Sequence, residues 1–213
     1  MFGAKAEIAA HEKQLEFELV MVPFEMKTLY EPKHPEVLRI NPKRQVPVLI
    51  DGDLEIFDST QIFEYLEELQ PTLALWPAGA RKRARARLLE HESDEVYFPH
   101  VVRLMGLQLA PTDPAAMAAR EAAARFYERM ERALGERDWL ADHYSFADIA
   151  FYMAQLFGER MGAPITAAEP RLQKWRDRMS DRPAVRKVAG AMGRYLVSQG
   201  RKLPPFMERL SAS

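Results

Sequence analysis

Two short groups carry the chemistry that this sequence offers, Val46-Pro47 and Asp58-Ser59. Proline cannot donate to a β-ladder, so Pro47 belongs at a strand start, an edge or a special turn. A cis Val46–Pro47 bond would leave the Val46 backbone groups outside the sheet and open to a ligand. Asp58 or Ser59 can cap the helix that follows. A helix start offers free amides and the positive end of the dipole, which suit a carboxylate. An acidic side chain beside it can pair with an ammonium group. A plain hairpin followed by a capped helix would show the same residues.

The surrounding pattern positions both groups. Val48, Leu49 and Ile50 form a short apolar run, Asp51-Gly52 signals a tight turn, and Leu54 and Ile56 alternate with polar neighbours. That predicts strand, turn, strand. Thr60 to Leu69 then carries Ile62, Phe63, Leu66 and Leu69 at helical spacing. Upstream, residues 2–14 read as a helix with Ala6, Ile8, Ala9 and Ala10 on its apolar side. Phe17, Leu19 and Met21 alternate as a strand that ends before Pro23. Pro32, Pro35 and Pro42 leave room only for a short helix from Glu36 to Ile40.

Pro71 to Gly79 is bracketed by proline and glycine and reads as a linker. Every later pattern is helical: Ala80 to Met105 with a kink at Pro99, Pro114 to Leu134, Ser145 to Gly162, Pro170 to Met179, and Pro183 to Val197. Leu203 to Ser213 is a short extension without assigned structure. Ser145 and Asp148 have the spacing of a capping box, with Tyr144 and Ile149 as its hydrophobic staple. The helix they open is apolar nearly all round, so it belongs in the core.

These elements, in this order, resemble the glutathione transferase superfamily, and the resemblance covers nearly the whole chain. It implies an α/β thioredoxin-like N-terminal domain plus an all-α C-terminal helical domain, over residues 1–70 and 80–213 with a linker at 71–79. It also implies that Val46 and Pro47 align the cysteinyl part of glutathione, and that Gln45 binds the glycyl end. Asp58 and Ser59 would receive the γ-glutamyl end. Glutathione would then be a co-substrate whose thiolate is added to a small hydrophobic electrophile, in a cytoplasmic homodimer. Tyr65, Leu89, Val96 and Tyr97 are the expected dimer surface. Tyr97, Phe98, His100, Arg103, Leu104 and Met105 lie where relatives build part of the electrophile pocket, although such residues also serve as core. The same resemblance admits a non-catalytic binding protein of the stringent-starvation type, or a glutathione-dependent lyase or isomerase.

Two departures stand out. The family motif Asn-Pro-x-Gly-Lys-Val-Pro becomes Asn41-Pro42-Lys43-Arg44-Gln45-Val46-Pro47, with Arg44 in place of glycine and Gln45 in place of lysine. Glutamine still donates a hydrogen bond to a carboxylate. Aligning Glu12-Lys13-Gln14-Leu15-Glu16-Phe17 with the end of the family's first helix puts the usual catalytic Ser at or before Met1 and the usual Cys near Phe2. Neither residue stands there, the first strand has no counterpart, and the catalytic residue is unassigned. The expectation is a chain that starts late. A chain using the Phe2 and Gly3 amides, or a non-catalytic relative, are the other readings. A missing strand predicts an unpaired edge beside Phe17–Val22 or Val48–Ile50.

Composition bounds the rest. The 213 residues hold 30 Lys or Arg against 31 Asp or Glu, which gives no bulk attraction to nucleic acid or an anionic membrane. The absence of cysteine removes disulfides and thiolate metal sites. His11, His34, His91, His100 and His143 show no metal-ligand spacing, so no metal is expected. No run reaches the length of a membrane span, and the N-terminus lacks the apolar core of a secretory signal. The basic run from Arg81 to Arg87 has no interleaved aromatics and is followed by Glu90, Glu92, Asp94 and Glu95. It reads as a solvated helix start.

Overall fold

The computed structural model describes residues 1–22 and 31–211. The chain divides into two compact units, Phe2–Leu73 and Ala74–Ser213, the second including Met1.

In the first unit, helix α1 (Phe2–Glu12) buries Ile8, Ala9 and Ala10 and packs against helix α3 (Ser59–Leu69), which contributes Ile62, Phe63 and Leu66. Lys13 follows α1 and is fully buried. Its ammonium pairs with the Glu67 carboxylate and donates to the Gln70 carbonyl at 2.9 Å, satisfying a group at the end of α3. Strands β1 (Val48–Asp51) and β2 (Leu54–Phe57) form an antiparallel hairpin in the register Val48↔Phe57 to Asp51↔Leu54. Gly52 takes φ 60° at the first of the two turn positions, a conformation that glycine adopts without steric cost. Helix α2 (Pro35–Ile40) is tied to the hairpin by Arg39, whose guanidinium lies 2.5 Å from Glu55 on β2.

The strand expected at Phe17–Met21 is not formed. Residues 15–22 carry no regular structure, and Phe17, Leu19, Val20 and Met21 are exposed. Alternation makes a strand only when a neighbour supplies the ladder bonds, and among the described residues β1 and β2 pair with each other alone. Pro23, the expected stop, lies outside the described residues.

In the second unit, the expected long helix is α4 (Ala80–Glu92), one π-helical stretch (Ser93–Tyr97) and α5 (Phe98–Gly106). The wider turn falls just before Pro99, whose missing N–H and bulky ring a regular helix would not accept. Helices α6 (Pro114–Leu134), α7 (Phe146–Arg160), α8 (Pro170–Ser180) and α9 (Pro183–Ser198) follow. Every residue of α7 from Phe146 to Leu156 is buried, as its sequence implies. A side chain at Gly158 would come within 1.9 Å of the Tyr97 hydroxyl, so glycine makes room for the buried Tyr97–Tyr127 hydroxyl pair. Burial holds both phenols above their ordinary pKa. The C-terminal stretch left without assigned structure contains a helix, α10 (Pro205–Ser211). It lies so close to α9 that a Cβ at Gly190 would meet the Leu210 carbonyl at 2.6 Å. Ala212 and Ser213 lie outside the described residues.

The capping box at Ser145 and Asp148 is formed. Asp148 is fully buried and accepts from the Ser145 amide at 3.0 Å, the Ser145 hydroxyl at 3.0 Å, the Leu140 amide at 2.9 Å and Trp175 Nε1 at 2.9 Å. Desolvation pushes its carboxyl above the ordinary range, and the four donors oppose that push. Asp148→Ala would strand buried donors and should cost about 4 kcal/mol, read as a lower urea midpoint. An unchanged midpoint would remove Asp148 from the organisation of this unit.

Candidate functional site

The hairpin register brings the two sequence groups together. Val48 pairs with Phe57 at the open end of the hairpin, so Val46-Pro47 enter β1 at the end where β2 runs out into Asp58-Ser59. Residues 45–47 lie outside the ladder, and the Val46–Pro47 bond is cis. Asp58 is the N-cap of α3: its Oδ1 accepts from the Thr60 amide at 3.0 Å and the Gln61 amide at 3.4 Å. Oδ2 takes no part in that cap. Ser59 is the first helical residue and is only 3% exposed, so its hydroxyl belongs to the interior side of the helix start.

Asn41 organises the loop before Val46, a role that the sequence reading did not assign. Its side-chain amide donates to the Gln45 carbonyl at 2.6 Å, and its side-chain carbonyl accepts from the Lys43 amide at 2.9 Å. The Arg44 amide donates to the Asn41 carbonyl at 2.8 Å. The Asn-Pro start was the available signal, since asparagine side chains commonly mimic a backbone turn. Arg44 takes φ 55° and Asp58 φ 77°, both in the left-handed region. Gln45 is exposed, and Val46 and Pro47 are half-buried.

The other candidates fare differently. Tyr97, Phe98 and Leu104 are buried in the helical core, whereas Arg103 and Met105 are exposed, so the six-residue pocket cluster splits between interior and surface. His100 is half-buried, and burial followed by Arg103 and Arg125 holds its imidazole below the ordinary pKa. Tyr97 is wholly buried and cannot serve a dimer surface. Tyr65 stays half-buried with its hydroxyl on the Asp51 carboxylate, Leu89 is half-buried and Val96 is exposed. The basic run is partly tied: Lys82 lies 2.5 Å from Asp142, and Arg83 donates to the Pro77 carbonyl at 3.3 Å. An open groove of about 820 Å³ follows α4 past Arg83, Arg87 and His91 and shares no residue with the loop or the α3 cap. Among the described residues, no helix is long and apolar enough to cross a membrane.

Comparison with known proteins identifies the family. Residues 1–69 match the glutathione S-transferase N-terminal domain, and residues 91–183 match the C-terminal domain. Glutathione S-transferase F6 of Arabidopsis thaliana is 32% identical over 194 residues, covering 85% of this chain and 90% of that protein. A stringent starvation protein A homolog of Haemophilus ducreyi is 27% identical over 176 residues, covering 79% and 78%. A glutathione S-transferase structure from Rhodospirillum rubrum superposes with TM-score 0.78 at 25% identity, covering 98% of this chain and 94% of that one. A sphingomonad glutathione S-transferase complexed with glutathione superposes with TM-score 0.75 at 25% identity, covering 94% and 95%. The chain belongs to the glutathione S-transferase family.

Asn41 is 3% exposed and holds two backbone groups of the loop. Asn41→Ala should therefore cost about 2 kcal/mol. It should also speed hydrogen exchange at the Lys43 amide, and slow exchange there in the variant would count against this role.

Proposed function

We propose that the protein is a glutathione transferase that adds the glutathione thiolate to a small hydrophobic electrophile, acting as a cytoplasmic homodimer. The observation that supports this reading is the hairpin register, which pairs the first residue of β1, just after Val46-Pro47, with the last residue of β2, just before the capped start of α3. An extended thiol peptide laid across that junction meets backbone groups at Val46 and free amides with a positive dipole end at Ser59. Asp58 Oδ2 pairs with its α-ammonium, and Gln45 donates to its glycyl carboxylate. The sphingomonad relative complexed with glutathione supports glutathione as the ligand. The unit Phe2–Leu73 supplies this cradle, and the electrophile belongs to the variable part of the fold.

A second reading is a binding protein of the same fold. It is favoured by the similarity to the stringent starvation protein A homolog. A lyase or isomerase that uses glutathione would require the same cradle.

The protein should be retained on immobilised glutathione and eluted by the free tripeptide. Ser59→Ala should weaken glutathione about tenfold by calorimetry, in line with one hydrogen bond to a charged group. Retention untouched by changes at both Asp58 and Ser59 would sink the site assignment. A folded protein that gives no heat with millimolar glutathione would favour the binding-protein reading.

Light scattering at micromolar concentration should report a dimer. Val96→Glu, on an exposed position, should shift it towards monomer. A wild-type monomer would overturn the dimer assignment.

A further inference from the structure

The chain is neutral as a whole, but its two units differ in sign. Residues 2–73 hold seven Lys or Arg against fourteen Asp or Glu, and residues 74–213 hold 23 against 17. Part of the positive excess gathers at one end of the helical unit. Arg103 lies in the last turn of α5, Arg120 in the second turn of α6, Arg160 ends α7, and Arg201 and Lys202 follow α9. Gln108, just past α5, donates to the Met161 carbonyl just past α7 at 3.3 Å. Arg120 donates to the Pro111 carbonyl at 2.6 Å, and a Cβ at Gly162 would lie 3.9 Å from its Nε. Burial, and then the charge of Arg201, hold the Arg160 guanidinium below its ordinary pKa, which brings the turn after α9 to the same end. Among the described residues, none of these five cations pairs with a carboxylate. The carboxylates nearest in sequence are already engaged: Asp113 accepts from the Ala115 amide at 2.7 Å, and Glu159 holds Arg176 and Gln155. Arg160 rests over the Phe157 ring at 5.0 Å, so its guanidinium is positioned without its charge being neutralised.

Exposed aliphatic side chains share this end. Val102 and Met105 stand one turn apart on α5, Leu109 is fully exposed just beyond it, and Met117 is exposed in the first turn of α6. The segment that presents Leu109 is braced by its own backbone. The amides of Leu107, Ala110 and Asp113 donate to the carbonyls of Leu104, Leu107 and Ala110 at 3.1, 2.9 and 3.1 Å. Consecutive turns therefore hold Leu109 outward. Uncommitted cations around protruding aliphatic groups match an anionic bilayer, whose phosphates take the charges and whose acyl boundary takes the apolar groups. A nucleic-acid backbone would match the charges but leave the aliphatic groups unused, and none of the four is a ring on which a base could stack.

We propose that this end of the helical unit is a peripheral docking surface for an anionic lipid bilayer. Arg160, Arg201 and Lys202 meet the phosphate headgroups, and Leu109, flanked by Met105 and Met117, enters the headgroup boundary. Such contact is made from one side and needs no membrane-spanning segment. It uses none of the residues assigned to glutathione, so each reading is tested separately from the other.

The test is sedimentation of the full chain with vesicles of equal parts phosphatidylcholine and phosphatidylglycerol, against vesicles of phosphatidylcholine alone. Wild type should bind the mixed vesicles, bind the neutral ones little, and be released by about 0.5 M added salt. Leu109→Ser, at a fully exposed position, should weaken binding about tenfold with an unchanged urea midpoint. Arg201→Gln with Lys202→Gln should weaken it about twentyfold. Arg81→Gln with Arg85→Gln removes the same charge from exposed positions on α4 and should bind like wild type. The chain has no cysteine, so a polarity-sensitive dye on Leu109→Cys reports one site. Its emission should shift to the blue with mixed vesicles, and the same dye on Ala124→Cys, exposed in the middle of α6, should not shift. Absence of vesicle binding overturns the proposal, and so does equal binding to both vesicle types. Equal loss in the α4 variant would make the effect one of bulk charge. Binding of free glycerol phosphate with vesicle binding indifferent to Leu109→Ser would make this end a phosphate site and overturn the bilayer as occupant. Capture of single-stranded RNA without vesicle binding would overturn it in favour of a nucleic-acid surface.

Discussion

Asp148 collects four hydrogen bonds from the Ser145 cap, the Leu140 amide and the Trp175 indole, and the helical unit is arranged around that carboxylate. Three of the donors fix the approach to α7, so the loop from Trp139 to Ser145 is set against the helix that it precedes. The fourth, Trp175 Nε1, joins α8 to the same point. Trp175 stacks on Phe151 at 5.2 Å, and Phe151 in turn meets Phe126 at 5.5 Å and Tyr97 at 5.8 Å. One buried acid thus orients the indole from which the aromatic core extends. Burying it is costly, and only near-complete satisfaction of its lone pairs makes it tolerable.

The first unit solves a different problem, that of stabilising a two-stranded hairpin, which is marginal on its own. α1 and α3 pack together, Lys13 joins the ends of both, and Arg39 ties α2 to β2. Of the five site residues only Ser59, at the start of α3, lies in a regular element. The irregular parts, the Asn41–Pro47 loop and the Asp58 cap, hold both left-handed residues of the junction. Local strain placed where a ligand would bind, on a scaffold held by ordinary packing, is the usual division of labour in a binding site.

Much of this was readable from local spacing. The Ser145-to-Asp148 box, the Asp51-Gly52 turn and the Asp58-Ser59 helix start depend on neighbours within a few residues, and each formed. What escaped depends on distant partners. Trp175 reaches Asp148 across 27 positions and Lys13 reaches Glu67 across 54, and no periodicity records such pairs. Phe17 to Met21 alternates like a strand, yet a strand is a property of two segments, and the ladder partner is not among the described residues. Arg44 was visible only as a departure from a glycine. The positive φ explains why glycine suits that position, and it turns an odd substitution into a physical question.

Recognition and catalysis are separable here. Val46, Asp58 and Ser59 would address the backbone and the charged ends of a thiol peptide, and such contacts hold the ligand equally before and during reaction. Contacts of that kind lower the free energy of the complex without favouring the transition state. Acceleration needs a group that stabilises the thiolate more than the thiol, through a hydrogen bond or a nearby positive potential. Val46 and Pro47 carry no polar side-chain group, and Asp58 would oppose a second negative charge. Family membership does not choose between the two outcomes either, since the chain is similar both to a protein named as a transferase and to one named as a starvation protein. On the proposed reading the cradle would account for which ligand is held, and the chemistry done on it would need a further group.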